Sequence, residues 1–149
     1  MEIAKEIKQK EFKDEWQKLS VNLTFTHGWA MGKLKDYFNQ FDITLQQFNI
    51  LRILKGQYPS PISTSIIRDR MIDKMSDTSR LVDRLSKKGL VERETCKTDR
   101  RLVDVIISQA GLDLLETVDK QYQALIGIYN NLSEEEAKQL NMLLDKLRD

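Results

Sequence analysis

Cysteine occurs once in this chain, as Cys96, so an internal disulfide is excluded and a reducing compartment is expected. Histidine also occurs once, as His27, which rules out a His-based metal cluster and a Ser-His-Asp arrangement. A metal at His27 would need Asp36 and Asp42 as further ligands; a partly buried, hydrogen-bonded side chain is the plainer expectation. No glycine-rich phosphate loop is present. With no catalytic constellation left, the chain reads as a non-enzyme with no metal site and no cofactor. No apolar run is long enough for a signal peptide or a membrane span, and the N-terminus alternates charged with apolar residues. The expected location is cytoplasmic, with no membrane partner. Internal repeats, low-complexity runs and flexible linkers are absent. An excess of either charge is missing too: the formal net charge is +1, which argues against a general polyelectrolyte binder.

What is present suits one compact domain over residues 1–149. Hydrophobic residues make up 40% and charged residues 32%, and this length can bury a real core. The charge is unevenly placed. From Thr64 to Asp104 there are 11 Lys and Arg against 8 Asp and Glu; the remainder has 13 against 15. This mildly basic segment lies within the most patterned stretch, from Ser63 to Ser108. Two short helical patterns come first there, Gly89 ends the second, and two strands with a charged turn between them follow. That order is a helix-turn-helix with a β-hairpin, a winged helix, whose usual work is docking on duplex DNA.

The second helix is expected to start at Asp73 as N-cap, with Ser76 and Asp77 in its first turn. Met75, Thr78, Leu81, Val82 and Leu85 then share one side as a core face. Ser76, Ser79, Arg80, Asp83 and Lys87 lie opposite, with Asp77 and Arg84 on the flank. Small hydroxyls allow close approach to a major groove, and Arg or Lys reach guanine edges or phosphates. An ordinary solvated face has the same composition. The hairpin turn distinguishes them: Cys96-Lys97-Thr98-Asp99-Arg100-Arg101 holds three cations suited to a narrow, electronegative minor groove. Asp99 is out of place beside phosphate unless it braces Arg101 and aims its guanidinium. A Cys96 thiolate beside Lys97 and Arg93 would be activated for oxidation; an incidental cysteine on a strand end is the plainer reading.

Lys-Lys-Gly-Leu-Val-Glu-Arg at 87–93, Asp-Arg-Arg at 99–101, a strand ending at Ser108 and then Gly111 together resemble the MarR family of transcriptional regulators. The spacing from Gly89 to Asp99 to Gly111 matches that family without a gap, and the likeness extends more weakly to both ends. The resemblance implies a mainly α (α+β) winged helix-turn-helix protein that works as a homodimer on a double-stranded operator. It implies a repressor released by a small-molecule effector. Carried over by position, it makes Ser76, Ser79 and Arg80 groove contacts, and Asp99 with Arg101 the wing pair. Arg68 and Ile72 depart from it, standing where the family usually has Ala and Gly, a difference that bears on the turn between the two helices.

The flanks read as helices. One long helix is expected from about Lys8 to Gln40, with Phe12, Trp16, Leu19, Leu23, Leu34, Tyr37 and Phe38 recurring at steps of three, four or seven. A further helix from Leu45 to Gly56 precedes a short strand at Ile62. Ser108 caps another running to about Tyr129, and Ser133 caps a last one with a Leu140, Leu143, Leu144 and Leu147 stripe. Approximate segments 8–41 and 109–149 thus form a dimerisation platform around a DNA-binding lobe at 44–108. Phe25, Trp29, Tyr37, Phe48 and Tyr122 are either core or the lining of a cleft for a small apolar or aromatic molecule. The competing function is a winged-helix protein-interaction module without specific DNA binding. It would have no need of the Asp99, Arg100 and Arg101 wing, although Asp77 and Asp83 near the groove face favour it.

Overall fold

The computed structural model describes residues 2–95 and 103–149, in two compact units, Met1–Leu45 and Gln46–Asp149. In the first unit a short helix, α1 (Ile3–Glu6), is followed by the long α2 (Glu15–Asn39). The helix expected from Lys8 therefore starts seven residues later. Lys8 has a left-handed backbone, φ 55°, which ends the first helical turn. The Asp14 carboxylate then accepts from the Gln17 N–H at 2.8 Å, while the Gln17 side chain accepts from the Lys13 N–H at 2.7 Å. These reciprocal bonds satisfy donors at the new N-terminus and leave Phe12 outside it, although it fits the apolar period. At the other end Asp42 takes φ 52°, a conformation that a short polar side chain tolerates, and α2 closes as expected. Tyr37 and Phe38 are buried beside it, with Tyr37 edge-on to Phe38 and Phe41 at ring separations of 5.1 and 5.4 Å.

From Gln46 the second unit runs through the rest of α3 (Leu45–Lys55), then β1 (Ile62–Ser63), α4 (Thr64–Arg70), α5 (Thr78–Lys87), β2 (Val91–Thr95), β3 (Val103–Ile107) and α6 (Gln109–Lys120). It continues with α7 (Tyr122–Ile126), a 3-10 turn (Gly127–Tyr129) and α8 (Glu134–Leu147). The sheet is antiparallel in the order β1-β3-β2, with Ile62 opposite Val105 and Val91 opposite Ile107. Ile50, Leu51 and Leu54 of α3, Ile67 of α4, Val82 and Leu85 of α5, and Val105 of β3 are core residues, each at most 2% exposed. The described residues are helix-dominated with one small sheet, the winged-helix class expected.

Four residues knot this unit together. Gly89 has φ 70°, and the N–H groups of Gly89 and Leu90 reach the Ser86 and Leu85 carbonyls at 2.9 and 3.0 Å. This is the Schellman ending that a glycine permits. Ser108 donates its hydroxyl to the Gly89 carbonyl at 2.6 Å and its N–H to the Leu90 carbonyl at 3.1 Å. The same hydroxyl accepts from the Gly111 N–H and so caps α6. A Cβ at Gly111 would sit 2.3 Å from the Leu90 carbonyl oxygen, so only glycine fits there.

The helix expected to run from Ser108 to Tyr129 is broken at Gln121, with φ −99° and ψ 16°. The apolar stripe continues through Leu125 and Ile126, and for that reason the period alone reads as one helix. Just before the break, Asp119 takes Arg52 of α3 in a fork at 2.6 and 3.3 Å, with Lys55 at 3.4 Å. Ser133 and Glu136 form the capping box at the start of α8. No helix among the described residues is long and apolar enough to cross a membrane.

Candidate nucleic-acid interface

The helix that organises the site starts later than the sequence pattern suggests. Its N-cap is Asp77, whose carboxylate accepts from the Arg80 N–H at 3.2 Å. Asp73 instead builds the turn before it, accepting from the Met75 N–H at 3.0 Å and the Ser76 hydroxyl at 2.8 Å. The Ser76 hydroxyl first, then the Met75 N–H, hold the Asp73 carboxyl below the usual carboxylate range. Asp73 and Asp77 are both good caps four residues apart, and the turn chemistry at Asp73 leaves the helix to the second. The consequence is a correction: Met75 is not on the core face. It is 93% exposed, while Thr78, Val82 and Leu85 are buried as expected.

The turn into α5 is positioned from two sides. The Ile72 N–H donates to the Asn49 amide oxygen of α3 at 2.9 Å, and Lys74 donates to the Asp69 carbonyl. From there Ser79, Arg80, Arg84 and Lys87 project from the exposed side of α5, and Ser76 is half-buried at its entrance. Gln46, Ser76, Asp77, Arg80, Leu81 and Arg84 line an open cavity of about 260 Å³. No sequence pattern singled out Gln46.

Both carboxylates that looked unsuited to a groove face are paired with arginine. Asp77 meets the Arg80 Nε at 3.2 Å, so one side chain caps the helix and orients its first cation. Asp83 is paired with Arg93 of β2, which bridges α5 and the sheet. A pair ten residues apart across two elements leaves no periodic signal in sequence. Among the other predicted site residues, Lys97, Asp99, Arg100 and Arg101, with Cys96, lie outside the described residues.

The aromatic candidates fall in both units. Phe25 and Trp29 are partly exposed on α2, where Tyr37 is buried. In the second unit Phe48 lies under the Arg52 guanidinium, 5.2 Å from ring centre, and Tyr122 is exposed at the start of α7. His27 is exposed on α2 rather than partly buried, and no cluster of potential metal ligands occurs among the described residues. Large apolar side chains also face solvent on helices of both units. They include Trp16, Leu19 and Leu23 on α2, and Leu140, Met142 and Leu143 on α8.

Comparison with known proteins gives one consistent result. The MarR family model matches residues 43–103, which run from the residues before α3 to the start of β3. The regulator PecS of Dickeya dadantii (strain 3937) is 32% identical over 117 residues, 76% of this chain and 70% of PecS. The transcriptional repressor IacR of Pseudomonas putida is 26% identical over 124 residues, 83% of this chain and 73% of IacR. The fold is similar to that of a mutant MarR from Escherichia coli, solved in complex with operator DNA. The TM-score is 0.79 and the identity 25%, covering 93% of this chain and 99% of that one.

Proposed function

The chain belongs to the MarR family of transcriptional regulators, and from that premise we propose that it is a homodimeric repressor of a pseudo-palindromic operator. The observation that carries the reading is the exposed face of α5. Ser79 and Arg80 stand in its N-terminal half, where a recognition helix meets base edges, and Arg84 follows one turn later. Asp77 and Asp83 favour an interaction module only as free anions on that face, and each is held by an arginine. Ser79, Arg80 and Arg84 read the major groove, with Ser76, Asp77 and Lys87 at its margins. Lys97, Arg100 and Arg101 of the sequence joining β2 to β3 enter the minor groove, with Asp99 aiming Arg101.

Dimerisation is supported by the apolar side chains exposed on α2 and α8, which a second copy would cover. Two recognition helices then engage half-sites about one duplex turn apart. IacR is named a repressor and the E. coli MarR was solved on operator DNA, which supports the same role here. We further propose a small apolar or aromatic effector as the release signal. It lowers operator affinity only by binding better to the form whose DNA lobes are wrongly spaced. A regulator that reads the chromosome in this way works in the cytoplasm.

The test is selection of bound duplexes from a random pool at about 0.15 M salt. Enrichment of an inverted repeat with half-site centres about 10 base pairs apart supports the reading. A pool that stays unenriched through repeated rounds overturns it.

A further inference from the structure

The turn that feeds α5 ends in an apolar side chain with no place in the core. Met75 is 93% exposed, more than any other large hydrophobic residue of the described chain, and lies two positions before the Asp77 N-cap. Its placement is built rather than loose. The Asp73 carboxylate accepts from the Met75 N–H itself and from the hydroxyl of the following Ser76, and the Asn49 amide oxygen accepts from the Ile72 N–H three residues earlier. The thioether is therefore presented at the N-terminal end of the recognition helix, the end that meets base edges. The exposed side chains beyond it on α5 are Ser79, Arg80, Arg84 and Lys87, which read donors and acceptors. None of them suits the one apolar mark in the major groove, the thymine 5-methyl group. A flexible, polarizable methionine does. Ile72, 80% exposed, is the other apolar candidate, but it directly follows the α4 C-cap Met71, three residues further from the Asp77 cap.

We propose that Met75 is a specificity-determining contact that reads a thymine methyl group in each operator half-site. The inference rests on the reading that α5 enters the major groove, and it adds a base-selective role for a residue of the preceding turn.

The experiment replaces each thymine of the selected operator in turn by deoxyuridine, which keeps pairing and hydrogen-bond groups and loses only the methyl. Affinities are measured for the parent, Met75→Ala and Met75→Leu, with circular dichroism to confirm folding. Expected for the parent is about a fourfold loss at one thymine per half-site, and about fifteenfold when both are replaced, as for one buried methyl each. Met75→Ala should bind the thymine and uracil operators equally, and Met75→Leu should still discriminate. A parent indifferent to every replacement, or a Met75→Ala protein with unchanged discrimination, overturns the proposal while leaving the operator reading intact. A parent that selects no operator at all overturns both.

Discussion

Replacing Gly111 by alanine sets helix propensity against packing. Gly111 lies in the first turn of α6, where alanine is favoured over glycine by about 1 kcal/mol. The new Cβ would lie 2.3 Å from the Leu90 carbonyl oxygen and 2.7 Å from Ile107 Cγ1. Ordinary contact needs about 3.5 Å, so the start of α6 must retreat by roughly 1 Å. The nearest atom is backbone, at the junction of α5 and β2, and cannot swing aside. Retreat also pulls on Ser108, whose N–H reaches the same Leu90 carbonyl at 3.1 Å and whose hydroxyl caps α6. Overpacking costs about 1–3 kcal/mol and a lost cap about 1, against the 1 kcal/mol gained. The net expectation is a destabilisation of about 1–3 kcal/mol, a fall in Tm of about 3–10 °C. Thermal unfolding by circular dichroism at one fixed protein concentration measures it, since the proposed dimerisation would make Tm concentration-dependent. An unchanged or raised Tm would refute the steric reasoning.

Arg101→Ala should weaken operator binding and flatten its salt dependence, whereas bulk electrostatics and bracing give opposite signs for Asp99→Ala. Bracing gives a loss of about two- to twelvefold from the side-chain entropy that Arg101 must then lose on binding; tighter binding on loss of Asp99 would remove its assigned role. Light scattering at low micromolar concentration should report twice the chain mass, and a stable monomer would leave the solvent-facing residues of α2 and α8 without a partner. Asp73 and Glu136 have carboxyls held below the usual range by hydrogen bonds, Glu136 by the Ser133 N–H and then its hydroxyl. A depressed folded-state pKa means that the unfolded chain binds the proton first as pH falls. Their stabilisation is therefore complete above the ordinary carboxylate value and is lost as pH falls through the folded value. Denaturant unfolding at about pH 6 and about pH 3 should show a smaller acid loss for Asp73→Asn than for the parent.

Much of the second unit was legible because its signals are local. Gly89, Ser108 and Ser133 each specify a cap through their own chemistry, and each is found in that role. The β2–β3 pair also follows from the pattern, and the strand at Ile62 from the likeness to other winged helices. The errors arose where apolar period competed with cap chemistry. Phe12 and Met75 fit their stripes, but Asp14 and Asp77 start the helices beyond them. Leu125 and Ile126 continue a stripe across the break at Gln121, because period records a face and not the continuity of the backbone. At the site, residue types were readable and partnerships were not. Asp83 looked like an unwanted anion until Arg93 was placed against it from another element. Gly111 stood out in sequence, but its reason, the approach of the Leu90 carbonyl, exists only in the folded chain.

The most direct measurement is the ratio of affinities for the selected operator and a scrambled duplex, at one stated salt concentration, in the parent and in Arg80→Ala/Arg84→Ala. Removing cations lowers both affinities by weakening phosphate attraction, so the ratio isolates base reading. Expected is a parent ratio of about 10³ or more. In the variant it should fall by about tenfold or more for each arginine that contacts a base edge, with the fold intact by circular dichroism. A variant that loses affinity equally on both duplexes, keeping the parent ratio, would contradict the assignment of the exposed face of α5 as the reading surface.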